Sequence, residues 1–149
     1  MIVPGATHIE KLFREAAGLD LDKEDLARVR AFVDRIVYDM LVIAVGRAKA
    51  NGRDIVQPWD LPIGKGLQER IHEFRRYDVA VDLEPLFRAL EKLPPLELDY
   101  AVEVEEVLPE LIGGLTVALA HVFRVLEPDL RNPQTEHWEK AERIFRLLY

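Results

Sequence analysis

The sequence contains no cysteine and no serine among its 149 residues. Without cysteine there are no disulfides, no thiolate chemistry and no sulfur-ligated zinc. Without either residue, hydrolysis through a Ser or Cys nucleophile is excluded. Aliphatic hydroxyls come from Thr7, Thr116 and Thr135 alone, and each reads more simply as a helix cap or core residue. Asn, Gln and Met are scarce beside 32% charged residues, a balance found in heat-stable proteins. Long apolar runs are missing too: Leu111–Ala120 is too short for a bilayer core of about 30 Å. Met1–Phe13 does not read as a signal peptide, so a soluble cytoplasmic protein with no membrane partner is expected.

What is present suffices for a hydrophobic core. Hydrophobic residues make up 49% of a chain of single-domain size, which argues against disorder. Charge is uneven. Residues 1–78 hold 13 Lys+Arg and 13 Asp+Glu, whereas 79–149 hold 7 and 14, so the net −7 lies in the second half. That balance speaks against a protein that coats DNA, because nonspecific affinity comes from neutralising phosphates.

The chain reads as one pattern written twice, over 1–78 and again over 79–149. In the first copy Thr7 and Glu10 form a capping box, Ile9, Leu12, Phe13 and Ala16 follow at helical spacing, and Gly18 ends the segment. Asp22, with Asp25 three residues on, caps a long helix over Lys23–Ala50, with Asn51-Gly52 as its stop. A third helix carries Ile63, Leu67, Ile71 and Phe74. In the second copy Asp82 opens a short helix closed by Pro94-Pro95. Asp99 is expected to cap a second long helix to about Glu127, and Thr135 a last one with Trp138, Ala141, Phe145 and Leu148. The run Met40–Val45 is apolar nearly all round, so each long helix must be buried on several faces. The other half is the natural cover.

Short, long and short helices in this order resemble the histone fold. The telling stretch is Gly52-Arg53-Asp54-Ile55-Val56-Gln57-Pro58-Trp59-Asp60, because histones place an Arg in this loop and an Asp seven residues later. Arg53 and Asp60 match that spacing, and the resemblance implies an ion pair that pins the loop. The tandem arrangement resembles a bacterial family with two histone folds in one chain, which implies an all-α protein packed as an intrachain pseudodimer. In the second half the comparable pair is Arg131 and Glu139, eight apart. Pro109 predicts a kink near Glu105. Gly113-Gly114 fall at mid-helix, where histone helices cross, so a close approach opposite Ile36 is expected.

Histones hold duplex DNA through paired loops and helix N-termini. Here the loop reads Arg53-Asp54-Ile55, with a carboxylate where archaeal histones have a cation. The implied fold gathers Arg47, Lys49, Arg53 and Lys92 on one edge, and Asp20, Asp22, Asp129 and Arg131 on the other. The first is a weakly basic edge that could touch DNA; the simpler reading is solvated surface charge. Catalytic signals are weak. His72-Glu73 lacks a second His, His121 reads as an interface histidine, and His8 and His137 sit in first helical turns. Glu103, Glu106 and Glu110 share a helical face that reads as solvated, and Gly64-Lys65-Gly66 lacks the rest of a phosphate loop. Trp59 and Trp138 occupy matching places and read as paired structural anchors. No catalytic residue, metal, cofactor or small-molecule substrate is implied. The expectation is a non-enzymatic module that binds a protein partner or itself, with a nucleoid-associated DNA-binding role as the alternative.

Overall fold

The structure, a computed structural model, describes residues 6–149, with side chains from His8 onward. Among these residues the helices are α1 (Ala6–Ala17), α2 (Lys23–Ala50), α3 (Lys65–Arg75), α4 (Glu84–Glu91), α5 (Val102–Leu126) and α6 (Thr135–Leu148). Two short strands, β1 (Ile55–Val56) and β2 (Asp99–Tyr100), complete it with a 3₁₀ turn over Pro58–Asp60. The protein is thus mostly helical. Thr7, expected as a cap, is the second residue of α1, and its side chain lies outside those described.

Helix limits follow local chemistry where caps are present. Asp22 accepts from Asp25 N at 2.8 Å, and Asp25 accepts from Asp22 N at 3.2 Å, so both first-turn donors are satisfied at the start of α2. At its end Asn51 Nδ2 donates to Arg47 O at 2.8 Å, and Gly52 turns the chain with φ +70°. That is a conformation only glycine adopts freely. Asp82 Oδ1 accepts from Glu84 N at 3.0 Å at the head of α4.

Two expected caps are corrected. Asp99 lies in β2, and α5 starts three residues later behind Ala101. The Asp99 backbone is part of a parallel pairing of Ile55 with Asp99 and Val56 with Tyr100, which puts it outside the helix. Thr135 is the first residue of α6, and Gln134 stands at its N-cap. There His137 Nδ1 accepts from Gln134 N at 2.9 Å, so the first-turn histidine does the work of a capping residue. Across Pro109, α5 continues as one helix, so the kink expected near Glu105 does not divide it.

The helices of each half pack against the long helix of the other. Both α1 and α3 lie on α5, and α4 lies on α2. Phe13 of α1 meets Phe123 of α5 with ring centroids 6.2 Å apart. Trp138 and Phe145 of α6 enclose Phe32 of α2 at 6.3 and 5.1 Å, while Trp138 also stands edge-on to Phe123 at 5.0 Å. The connections pair likewise. β1 follows α2 and β2 precedes α5; between the other two connections, Asp20 N donates to Arg131 O at 2.7 Å.

Gly113 and Gly114 are buried, but the approach they allow differs from the expected one. A Cβ on Gly113 would collide with the Phe74 ring. One on Gly114 would lie 2.5 Å from Ile71 Cγ1 and 3.2 Å from the Ile71 backbone. The helix seated in this notch is α3, so the nearest atoms do not come from Ile36, which is buried elsewhere in the same core. The apolar character of α5 also reaches beyond Leu111–Ala120. By length and composition Val102–Leu126 could span a bilayer, but its most apolar window is 61% buried within the fold, as befits a core helix.

Candidate functional site

The edge built by the β1–β2 pair collects most of the cations expected to face DNA, and the structure gives each a local partner. Arg53 Nη1 and Nη2 donate to Asp60 Oδ2 and Oδ1 at 2.5 and 2.6 Å, a bidentate pair. Asp60 is only 2% exposed and also accepts from Gln57 N at 2.8 Å. The Arg53 guanidinium beside it holds its carboxyl below the ordinary carboxylate range. Lys49 is ion-paired with Glu97. Arg47 Nη1 reaches the carbonyls of Asp60 and Leu61 at 3.5 and 3.4 Å.

Lys92 does not belong to this edge. It lines a groove between α2 and α4 with Arg30, Asp34 and Arg35. Arg35 and Arg47 are twelve residues apart, about 18 Å along a helix. The four-residue basic edge expected from the sequence therefore comes apart into three internally engaged cations and one distant lysine.

Apolar side chains are exposed where a phosphate backbone would need charge. Ile55, Trp59 and Val102 surround the β1–β2 pair, and Trp59 is 70% exposed, with Arg53 over its ring at 5.8 Å. Trp138 differs from it entirely. It is buried, donates from Nε1 to Asp25 Oδ1 at 3.2 Å and lies under Arg28 at 4.9 Å. So Trp138 is an anchor and Trp59 is a surface feature, which corrects their reading as a structural pair.

The second half pins its loop by another residue than expected. Among the described residues Arg131 and Glu139 form no ion pair. Arg124 does the pinning instead: Nη1 donates to Pro128 O at 2.6 Å and Leu130 O at 2.7 Å, and Nε donates to Ala17 O at 3.0 Å. One side chain thus holds the α5–α6 connection against the end of α1. Nothing in the spacing of the sequence marks it.

The histidine and carboxylate clusters join neighbouring helices. His121 Nε2 lies 2.9 Å from Glu73 Oε2, to which Tyr77 OH donates at 2.6 Å. Burial works against the Glu73 charge, yet the hydrogen bonds from Tyr77 and His121 hold its carboxyl below the ordinary range. Burial and the bond to Glu73 push the Tyr77 hydroxyl up to about 12. The cluster links α3 to α5. Glu110 binds Arg75 through two bonds of 2.7 and 3.1 Å, leaving Glu103 and Glu106 as exposed neighbours. Among the described residues no group of His, Asp or Glu is arranged to hold a metal ion.

Comparison with known proteins gives the chain relatives in two bacteria. Two Aquifex aeolicus (strain VF5) proteins, both described as uncharacterized, are 31% and 26% identical to it. The matches cover 82% and 94% of this chain, and 78% and 81% of those proteins. A crystal structure from Thermus thermophilus superposes with a TM-score of 0.93 at 53% identity, covering 99% of this chain and 100% of that one. A crystal structure from Aquifex aeolicus superposes with a TM-score of 0.79 at 25% identity, covering 98% and 96%. Residues 9–146 match the model of the domain of unknown function DUF1931, and the chain belongs to that bacterial family.

Proposed function

We propose that the chain is a pair of histone folds, 1–78 and 79–149, joined as an intrachain pseudodimer that acts without catalysis by associating with protein. Its first partner is a second copy of itself. The reciprocal packing of α1 and α3 on α5, and of α4 on α2, supports the pseudodimer. So does the pairing of β1 with β2 at one end and of Asp20 with Arg131 at the other.

One observation carries the functional reading. The edge that would face DNA in a histone holds its cations on Asp60, Glu97 and backbone carbonyls, and turns Ile55, Trp59 and Val102 outward. A large exposed aromatic on an edge with other exposed apolar side chains is a common composition of a protein-binding centre. DNA would have to break ion pairs to reach the same cations.

Sedimentation velocity over a wide concentration range tests this. Reversible self-association is expected, with loss of the associated species in Trp59→Ala. A chain that stays monomeric at every concentration would contradict the reading.

A further inference from the structure

Arg30 and Asp34 form an ion pair on α2 that the fold does not use elsewhere. Their side chains are 7% and 4% exposed, and Arg30 Nε donates to Asp34 Oδ2 at 3.0 Å. Arg30 Nη1 and Nη2 are closed off from solvent and have no hydrogen-bond partner among the described residues. A buried cationic fork left unsatisfied is costly unless something completes it. His8 does not, since its Nε2 is also buried and unpartnered among the described residues. Burial and the charge of Arg30 push that imidazole down to about 4, so it is neutral.

The same two residues line the groove between α2 and α4, of about 540 Å³. That is within the usual range of small-molecule sites, about 300–1,000 Å³. Its walls carry Ala27 and Ala31 on α2, one turn apart, with Pro85, Ala89 and Leu93 on the α4 side. Small side chains at these positions leave the trough open and apolar. Lys92 supplies positive charge at its margin, beside Arg35 and Arg88, which are paired with Asp39 and Glu84. Each of these three cations is exposed, and a ligand head must displace whatever covers Nη1 and Nη2 to reach them.

We propose that this groove binds a small amphipathic carboxylate, with its head on the Arg30 fork and its apolar body along the alanine-lined walls. Asp34 positions the fork by holding Nε, which leaves Nη1 and Nη2 for a planar carboxylate. A monoanion suits the site better than a phosphate dianion, because the Asp34 carboxylate already lies beside the guanidinium. The inference stands independently of self-association at Trp59, which lies on another part of the molecule.

Titration calorimetry of the full chain with octanoate, with acetate and inorganic phosphate as controls, tests it. Octanoate should bind saturably and raise the melting temperature, and both controls should bind more weakly. The double variant Arg30→Met/Asp34→Leu removes the pair together, so no buried charge is orphaned and the fold should persist. It should lose octanoate affinity by about tenfold or more, the worth of charged hydrogen bonds. Ala31→Phe, which fills the trough without touching the charges, should weaken binding as well. The proposal is overturned if octanoate does not bind, if phosphate matches it, or if the folded double variant binds it equally.

Discussion

At the scale of single residues, two buried titratable groups each make the fold less stable in acid. Asp60 is held ionised by Arg53 and Gln57 N, and removing Arg53 strands a carboxylate that solvent barely reaches. Arg53→Ala should therefore lower folding stability, measurable in urea. The Asp60 carboxyl lies below its ordinary value in the fold, so its stabilising share is full above the unfolded value and fades as pH falls through the folded one. The stability gap between the wild type and Asp60→Asn should accordingly shrink in acid; a gap independent of pH would refute the pairing. His8 loses stability in acid as well, although it must stay neutral rather than charged. Its folded value of about 4 lies below the unfolded 6.5, so the unfolded chain takes up the proton first. Stability should drop as pH falls from about 6.5 toward 4, and His8→Leu should remove that part of the pH profile.

The Arg53–Asp60 contact is legible through the resemblance of its loop to that of histones, and both partners sit on one short connection. The role of Arg124 is not. It depends on the end of α1 lying beside the end of α5, 107 residues away in the chain. The tryptophans teach the same lesson. They hold matching places in the repeat, yet Trp138 is enclosed by Asp25, Arg28 and Phe32, whereas Trp59 stands in solvent beside Arg53.

At the scale of elements, the notch in α5 governs the packing of α3. Glycine at two adjacent mid-helix positions gives up about 1 kcal/mol each against alanine. Here that loss admits Phe74 and Ile71. Gly114→Ala should destabilise by about 1–3 kcal/mol despite the better helix former, since overpacking outweighs propensity. The Ile71 backbone cannot yield as a side chain can. The atoms nearest to a Cβ at Gly113 are those of the Phe74 ring, so Phe74→Leu should recover part of the loss in Gly113→Ala, as thermal melts of the three variants would show. Helical periodicity tells that such glycines are buried; it does not tell against which helix. For the same reason the limits of α2 follow from its caps at both ends, while the start of α5 does not. Asp99 has the right side chain for a cap, but the strand partner that claims it is remote in sequence.

At the scale of the whole molecule, the halves bury one another. The apolar surface of α5 is covered by α1 and α3, so a chain cut after residue 78 should leave both parts largely unfolded. The intact chain should melt in one transition; two separate transitions by calorimetry would show halves that stand alone. The twofold pattern of short, long and short helices is legible because apolar periodicity and the breaks between helices repeat. The surface is harder to foresee. Formal charges suggest a basic edge, and only the placement of Glu97 and Asp60 shows how much of that charge is answered within the fold.

That neutralised edge is the centre of the account, and fluorescence anisotropy of a labelled DNA duplex tests it most directly. At about 50 mM salt, where phosphate contacts are strongest, the account predicts no saturable binding by the wild-type chain. Tight binding that collapses toward about 200 mM salt would contradict it, and would mean that the duplex wins Arg53 and Lys49 from their carboxylates.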